Sequence, residues 1–276
     1  MPKDPLADLA KAYRVPPGGA RWRLGDVAPD DKRAFADRES AEKGLADDIA
    51  IIDRLQEVLY AQQRHAVLVV LQAMDTGGKD STVRSVFGVV DPLGVRCTSF
   101  KKPTSDELAH DYLWRVHAHA PPRGVIGIFN RSHYEDVLVA RIHALAPKQE
   151  IEARYEQINA FERHLAANGT IILKFFLHIS KKEQAERLAD RLKDPTKHWK
   201  FNAGDLDERK RWRDYMKAYE LAVTRCSTDA APWWVIPADR KWYRNAVVAR
   251  IVRATLEGLH LRYPPAPEGI EKFRIV

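Results

Sequence analysis

Between residues 37 and 63, Leu45, Ile49, Ile52, Leu55, Val58 and Leu59 recur at steps of three and four, drawing the apolar stripe of an amphipathic helix. The pattern then changes period. HAVLVVLQ (65–72) is short, rich in β-branched residues and apolar on both faces, as a strand buried inside a parallel sheet must be. Four further runs read as strands: VRCTSF (95–100), VIGIFN (125–130), IILKFFLHI (171–179, interrupted by Lys174) and WWVIPA (233–238). Helical intervals separate them, and the one from Glu150 to Ala167 stops at Asn168-Gly169, a left-handed C-terminal signal. The alternation predicts an α/β chain with a five-stranded parallel sheet flanked by helices, which 276 residues can close as one domain.

The ends and one insertion depart from this rhythm. Residues 1–33 mix Pro16, Pro17, Gly18 and Gly19 with charges and read as an N-terminal arm; residues 34–276 read as a single domain. Residues 181–225 are highly charged and predict two helices split by DPTKHWKFNAGD, with Asp205 and Glu208 as a capping box on the second. Charge alone favours a solvated helical hairpin; a lid above the sheet's C-terminal edge is the alternative.

Composition narrows the partners without naming one. Forty-five Lys and Arg against 38 Asp and Glu give a net charge of +7. That balance fits an incidentally basic surface as well as an acidic partner, which can be nucleic acid, an anionic membrane or a polyanionic substrate. No run approaches the roughly 18 apolar residues of a membrane span. The N-terminal segment, with Asp4 and Asp8, has no signal-like apolar core, and two cysteines suggest no disulfide framework. These features lead us to expect a cytoplasmic protein that makes no use of a membrane.

The strongest local signal is AMDTGGKDST (73–82), between a strand and a helix. Backbone amides around Gly77 and Gly78 can wrap phosphate oxygens, the helix directs its positive end at the same anion, and Lys79 adds a mobile charge. Ala73 stands where a standard phosphate loop begins with Gly, and Asp80 replaces its metal-touching hydroxyl. Asp75 repels an anion unless a divalent cation bridges the two; an ordinary turn aspartate is the plainer alternative. The second constellation, GIFNRSHYEDVLVARIH (127–143), turns polar at the C-terminal end of a strand, where open α/β sheets hold ligands. Asn130, Glu135 and Asp136 offer oxygen ligands, Arg131 can clamp phosphate, and His133 alone is more simply a packed histidine.

AMDTGGKDST, FNRSHYEDVLV and RLKDPTKHWKFNAGDLDERKRWRDYMKAYE, supported by FKKPTSDELAHDYLWR (100–115) and APWWVIPADRKWYRN (231–245), resemble the second family of polyphosphate kinases. The resemblance runs from about residue 34 to residue 261. It implies a P-loop kinase fold with a helical lid over 181–225. It also implies magnesium (or manganese) as cofactor, inorganic polyphosphate and purine nucleotides as substrates, no nucleic-acid partner, and a homodimer or homotetramer. Asp75 and Lys79 then match the family's phosphate-loop pair, Gly77 and Gly78 its cradle, and Arg131 its phosphate-binding arginine. Asp136 matches an acidic position tied to metal and catalysis, so Asp75 and Asp136 are the implied metal ligands. Asn130, Glu135 and Asp136 face the nucleotide, while Lys101, Lys102, Arg187, Arg191 and Lys200 contact polyphosphate. Asn130 stands where many members carry Asp, and with His133-Tyr134-Glu135-Asp136 it resembles the subgroup that accepts both nucleoside mono- and diphosphates. Two rivals share part of this pattern: an ATP-dependent nucleoside or nucleotide monophosphate kinase, and a non-catalytic basic nucleic-acid-binding protein.

Overall fold

The structure is a computed structural model and describes residues 5–275. Five strands form one sheet: β1 (Ala66–Gln72), β2 (Val95–Ser99), β3 (Ile126–Asn130), β4 (Thr170–His178) and β5 (Trp233–Pro237). Their order is β2-β3-β1-β4-β5 and every pairing is parallel. The continuous apolar run that marked β1 has its cause here, because β1 is central and all seven of its residues are buried.

The helices are α1 (Pro5–Tyr13), α2 (Arg38–Gln62), α3 (Lys79–Phe87), α4 (Ser105–Ala109), α5 (Trp114–His117), α6 (Val139–Ile142), α7 (Lys148–Ala167), α8 (Lys181–Lys193), α9 (Gly204–Lys210), α10 (Trp212–Arg225) and α11 (Lys241–Gly258). One group packs α11 with α1, α2 and α3; the other joins α6 with α7 and α10. Right-handed crossovers from β1 to β2 and from β3 to β4 run in opposite directions along the sheet and so cover its two faces. Asp37 caps α2, its Oδ1 accepting from the Ser40 amide at 2.8 Å. In the Asn168-Gly169 stop, Gly169 takes the left-handed turn, at φ +92°, while Asn168 stays at φ −99°.

Two expectations about the charged insertion are corrected. It holds three α-helices and a 3₁₀ helix (Pro195–Lys200), because the chain also turns at Arg211 between α9 and α10. The Asp205–Glu208 capping box does not form. Asn202 Oδ1 takes the Gly204 amide at 3.0 Å, so the helix starts earlier and Asp205 falls inside its first turn. Asp205 then pairs with Arg191 (3.4 Å), and Glu208 accepts from Tyr215 Oη (2.5 Å) and meets His143 Nε2 (2.9 Å). Charged partners at those distances outcompete a backbone amide.

The first four residues of the N-terminal arm lie outside the described residues. Residues 5–33 bury Leu9, Tyr13, Val15, Leu24 and Val27 in the core. Arg14 bridges Trp234 in antiparallel fashion and the Val15 amide donates to the Trp233 carbonyl at 2.9 Å, so the segment covers the outer edge of β5. Among the described residues no helix is long and apolar enough to cross a membrane.

Candidate active site

β1 and β3 are neighbours, and their register places Leu71 opposite Asn130. The glycine loop and the polar second motif therefore leave the sheet side by side at its C-terminal edge, where the Arg131 amide donates to the Leu71 carbonyl at 3.1 Å. Gly78, at φ +105°, admits the turn into α3, which begins at Lys79.

Arg131 sits at φ +62°, a strained position for a non-glycine residue, and this turn swings its side chain across to the loop. Its guanidinium pairs with Asp75 (2.9 Å) and Glu135 (3.3 Å). Burial by itself depresses its pKa, but those two carboxylates outweigh burial and raise it. Lys79 is buried, with Nζ donating to the Ala73 carbonyl at 2.8 Å. Burial first, and then Arg131, push its pKa down to about 8 against the pull of Asp75, Glu135 and Asp80.

Two cavities meet at this point. The larger, about 430 Å³, is lined by the cations Lys79, Arg131, Arg187, Arg191, Lys197, Lys200 and Lys241, against Asp75, Asp80 and Asp190. The smaller, about 220 Å³, has Arg131 as its one cation, facing Asp75, Glu135, Asp205 and Glu208, with Met74, Val139, Tyr215 and Tyr219 as its less polar wall. Asp75 and Arg131 line both. One chamber is built for a polyanion and the other for a less charged group, and a charged pair divides them.

The second motif alternates its residues between this site and the core. Asn130, Arg131 and Glu135 face the cavities, whereas Ser132, His133 and Tyr134 are fully buried. His133 Nε2 lies 3.1 Å from Glu162 Oε1, which also accepts from Tyr134 Oη at 2.9 Å. Lys174, the residue that interrupts the apolar run of β4, donates to Glu162 (2.5 Å), Tyr134 Oη (2.9 Å) and the Cys226 carbonyl (2.6 Å). Burial would raise the Glu162 pKa, but Lys174 and His133 hold it below the usual carboxylate range.

Most of the site residues expected from sequence come together. Asp75, Gly78, Lys79, Asn130, Arg131, Arg187, Arg191 and Lys200 line the larger cavity, and Glu135 lines the smaller. Gly77 lies in the loop, its amide bonded to the Met74 carbonyl at 3.0 Å. Arg187 is tied into the scaffold, donating to the carbonyls of Thr76, Ala238 and Asp239. Asp136 is not brought to the cavities. The 3₁₀ turn His133–Asp136 directs Glu135 toward Arg131 and Asp136 toward Arg154, 3.6 Å away. Burial raises the Asp136 pKa to about 6, against the opposing charges of Arg154 and Arg115. Lys101 and Lys102 are exposed in the segment after β2 and line neither cavity.

Asn130 Nδ2 donates to Asp80 Oδ1 at 2.6 Å, which accounts for the amide at this position. A carboxylate there would face Asp80 at hydrogen-bond distance, which requires a shared proton or a cation. Asp190, Lys197, Lys241, Tyr215 and Tyr219 were not anticipated; each lies on a helix or turn whose own pattern reads as surface or core, and only the folding of 181–241 over the loop brings them to the cavities. Trp199 is exposed with Lys200 Nζ 4.8 Å over its ring, and Trp212 packs against the core.

A glycine loop between a central parallel strand and a helix, opening on a cation-walled cavity beneath a helical insertion, defines a P-loop kinase. The family model for polyphosphate kinase 2 matches residues 35–263. The chain belongs to that family. It is 54% identical over 269 residues to the AMP/ADP-polyphosphate phosphotransferase of Meiothermus ruber, covering 96% of this chain and 99% of that one. It is 42% identical to the ADP-polyphosphate phosphotransferase of Rhodopseudomonas palustris, covering 83% and 84%. The crystal structure of polyphosphate kinase 2 from Arthrobacter aurescens TC1 superposes with a TM-score of 0.92 at 42% identity, covering 98% of this chain and 95% of that one.

Proposed function

We propose that the protein transfers phosphoryl groups between inorganic polyphosphate and nucleotides, and that it accepts nucleoside mono- and diphosphates, adenine and guanine alike. The observation that carries this reading is the pair of cavities divided by Asp75 and Arg131. Polyphosphate lies in the larger, cationic chamber with its terminal group at the glycine loop. The nucleoside end of the acceptor lies in the smaller chamber beside Tyr215 and Tyr219, and its phosphate reaches Arg131. Lys79 and Arg131 then meet the transferred group from two sides and neutralise the charge spread over its oxygens. The attacking phosphate oxygen is already anionic and requires no strong base. The lid residues exclude water, whose attack would waste the donor.

Among the described residues no cluster of three or more His, Cys, Asp or Glu forms a metal cage. Magnesium fits nonetheless, because it is commonly held by one or two carboxylates together with substrate phosphates. Asp75, which lines both chambers, would hold it, and Asp80 and Glu135 lie in the flanking walls. When bound, the ion supplies charge neutralisation at the phosphates.

The deciding experiment mixes the protein with magnesium, polyphosphate and AMP, ADP, GMP or GDP in turn, and separates the products by chromatography. Diphosphates and triphosphates are expected from both bases without any ATP supplied. Products that form only when ATP is added mark an ATP-dependent kinase and overturn the proposal. A salt series adds an independent check. With about four phosphates engaged, the KM for polyphosphate is expected to rise tenfold or more between about 50 and about 200 mM salt, through counterion release. A flat response means the cationic chamber does not hold the polyanion.

A further inference from the structure

Beneath the glycine loop lies a cation to which the cavities give no role. Arg244, in the first turn of α11, is fully buried. Its Nη1 donates to the Gly77 carbonyl (3.3 Å) and its Nη2 to Ser81 Oγ (2.9 Å); Nη2 and Nε also donate to Asn245 Oδ1 (2.8 and 3.1 Å). The guanidinium rises so close under the loop that a Cβ on residue 78 would stand 1.8 Å from Nη1. Gly78 is thus demanded twice, once by its φ and once by this approach.

All the acceptors of Arg244 are neutral, and among the described residues no carboxylate forms an ion pair with it. Burial first, and then the like-signed charge of Arg187, push its pKa down to about 9. An ion held out of water without a counter-charge is a standing cost to the fold. The same loop lines the cavity assigned above to a polyanion, through Thr76, Gly78 and Ser81, while Arg244 itself does not reach it.

We propose that Arg244 is a positioning residue for phosphoryl transfer, fixing the underside of the glycine loop through Gly77 and Ser81 while phosphate bound on the upper side supplies its missing counter-charge. It touches no reacting atom. Holding the Gly77 carbonyl downward leaves loop amides free to face the anion, and the thin, poorly polarisable loop between them lets the buried charge act across it. The inference rests on the polyphosphate reading.

Two substitutions separate charge from mere support. Arg244→Gln keeps a donor under the loop and removes the charge; Arg244→Lys keeps the charge and loses the planar fork. KM and kcat for polyphosphate are measured with each, and the rise in melting temperature caused by polyphosphate alone, without nucleotide. Arg244→Gln is expected to raise KM about tenfold, the value of one charge-assisted contact, and to cut the polyphosphate-induced thermal shift by at least half. Arg244→Lys is expected to retain most of both. A Gln variant that matches the wild type in both, or that outperforms the Lys variant, overturns the proposal. If Arg244→Gln does not fold, Arg244→Lys decides alone: a thermal shift near that of the wild type supports the proposal, and its loss overturns it. A wild type that neither binds nor consumes polyphosphate sinks the functional reading itself, whereas an active wild type beside an unaffected Gln variant sinks only the role of Arg244.

Discussion

Lys79→Ala is expected to lower kcat/KM for polyphosphate by a factor of a few hundred, about 3–4 kcal/mol of transition-state stabilisation, the usual worth of one well-placed donor in a water-poor site. The ammonium group is buried at the mouth of α3 and lines the cationic chamber, so no neighbouring side chain can take its place without moving the loop. Circular dichroism and the melting temperature should remain close to wild type, which separates lost chemistry from lost structure. A pH series on the wild type tests the same group. Its pKa is depressed to about 8, so the charged form is present below that pH and is lost above it. The kcat/KM for polyphosphate should therefore fall as pH rises through about 8. Near-normal turnover by a folded Lys79→Ala enzyme would remove Lys79 from the mechanism.

Lys174→Met is expected to cost about 3–5 kcal/mol of stability, because it strands Glu162 as a buried charge without its partner. In a chain of this size that is a fall in melting temperature of roughly 10 °C. The double variant Lys174→Met/Glu162→Leu should recover much of the loss, since a matched apolar pair removes both charges together. Failure of the single variant to lower the melting temperature would show that the pair does not anchor the second motif. The same substitution should also reduce turnover, through the three buried residues that hold Arg131 and Glu135 in place.

The sheet was legible because its evidence is local. Each strand runs within a residue or two of its apolar stretch, and the central position of β1 follows from its being apolar on both faces. The residues of the glycine loop and of the first half of the second motif were legible for the same reason, since strand ends in an α/β sheet point to the ligand side. Asp136 shows where such reasoning stops. In a 3₁₀ turn one step along the chain rotates a side chain by about 120°. Adjacent carboxylates therefore part company, and no periodicity reveals which one faces the site. Arg244 was unreadable for a different reason. It lies 166 residues beyond Gly78, on a helix otherwise packed as core, and only the closing of α11 against α3 brings the two together. Lys174 looked like a defect in a strand until Glu162 came to meet it.

The region matched by the family begins at residue 35, while the stretch that seals β5 ends before it. The catalytic body is in that sense finished by a hem that shares its core, through Leu9, Tyr13, Val15, Leu24 and Val27. The hem supplies the edge of β5 with backbone partners, including the Val15 amide on the Trp233 carbonyl, and adds apolar side chains to the packing behind it. A truncation that kept only the matched region would leave β5 as an open edge, a template for pairing with another chain.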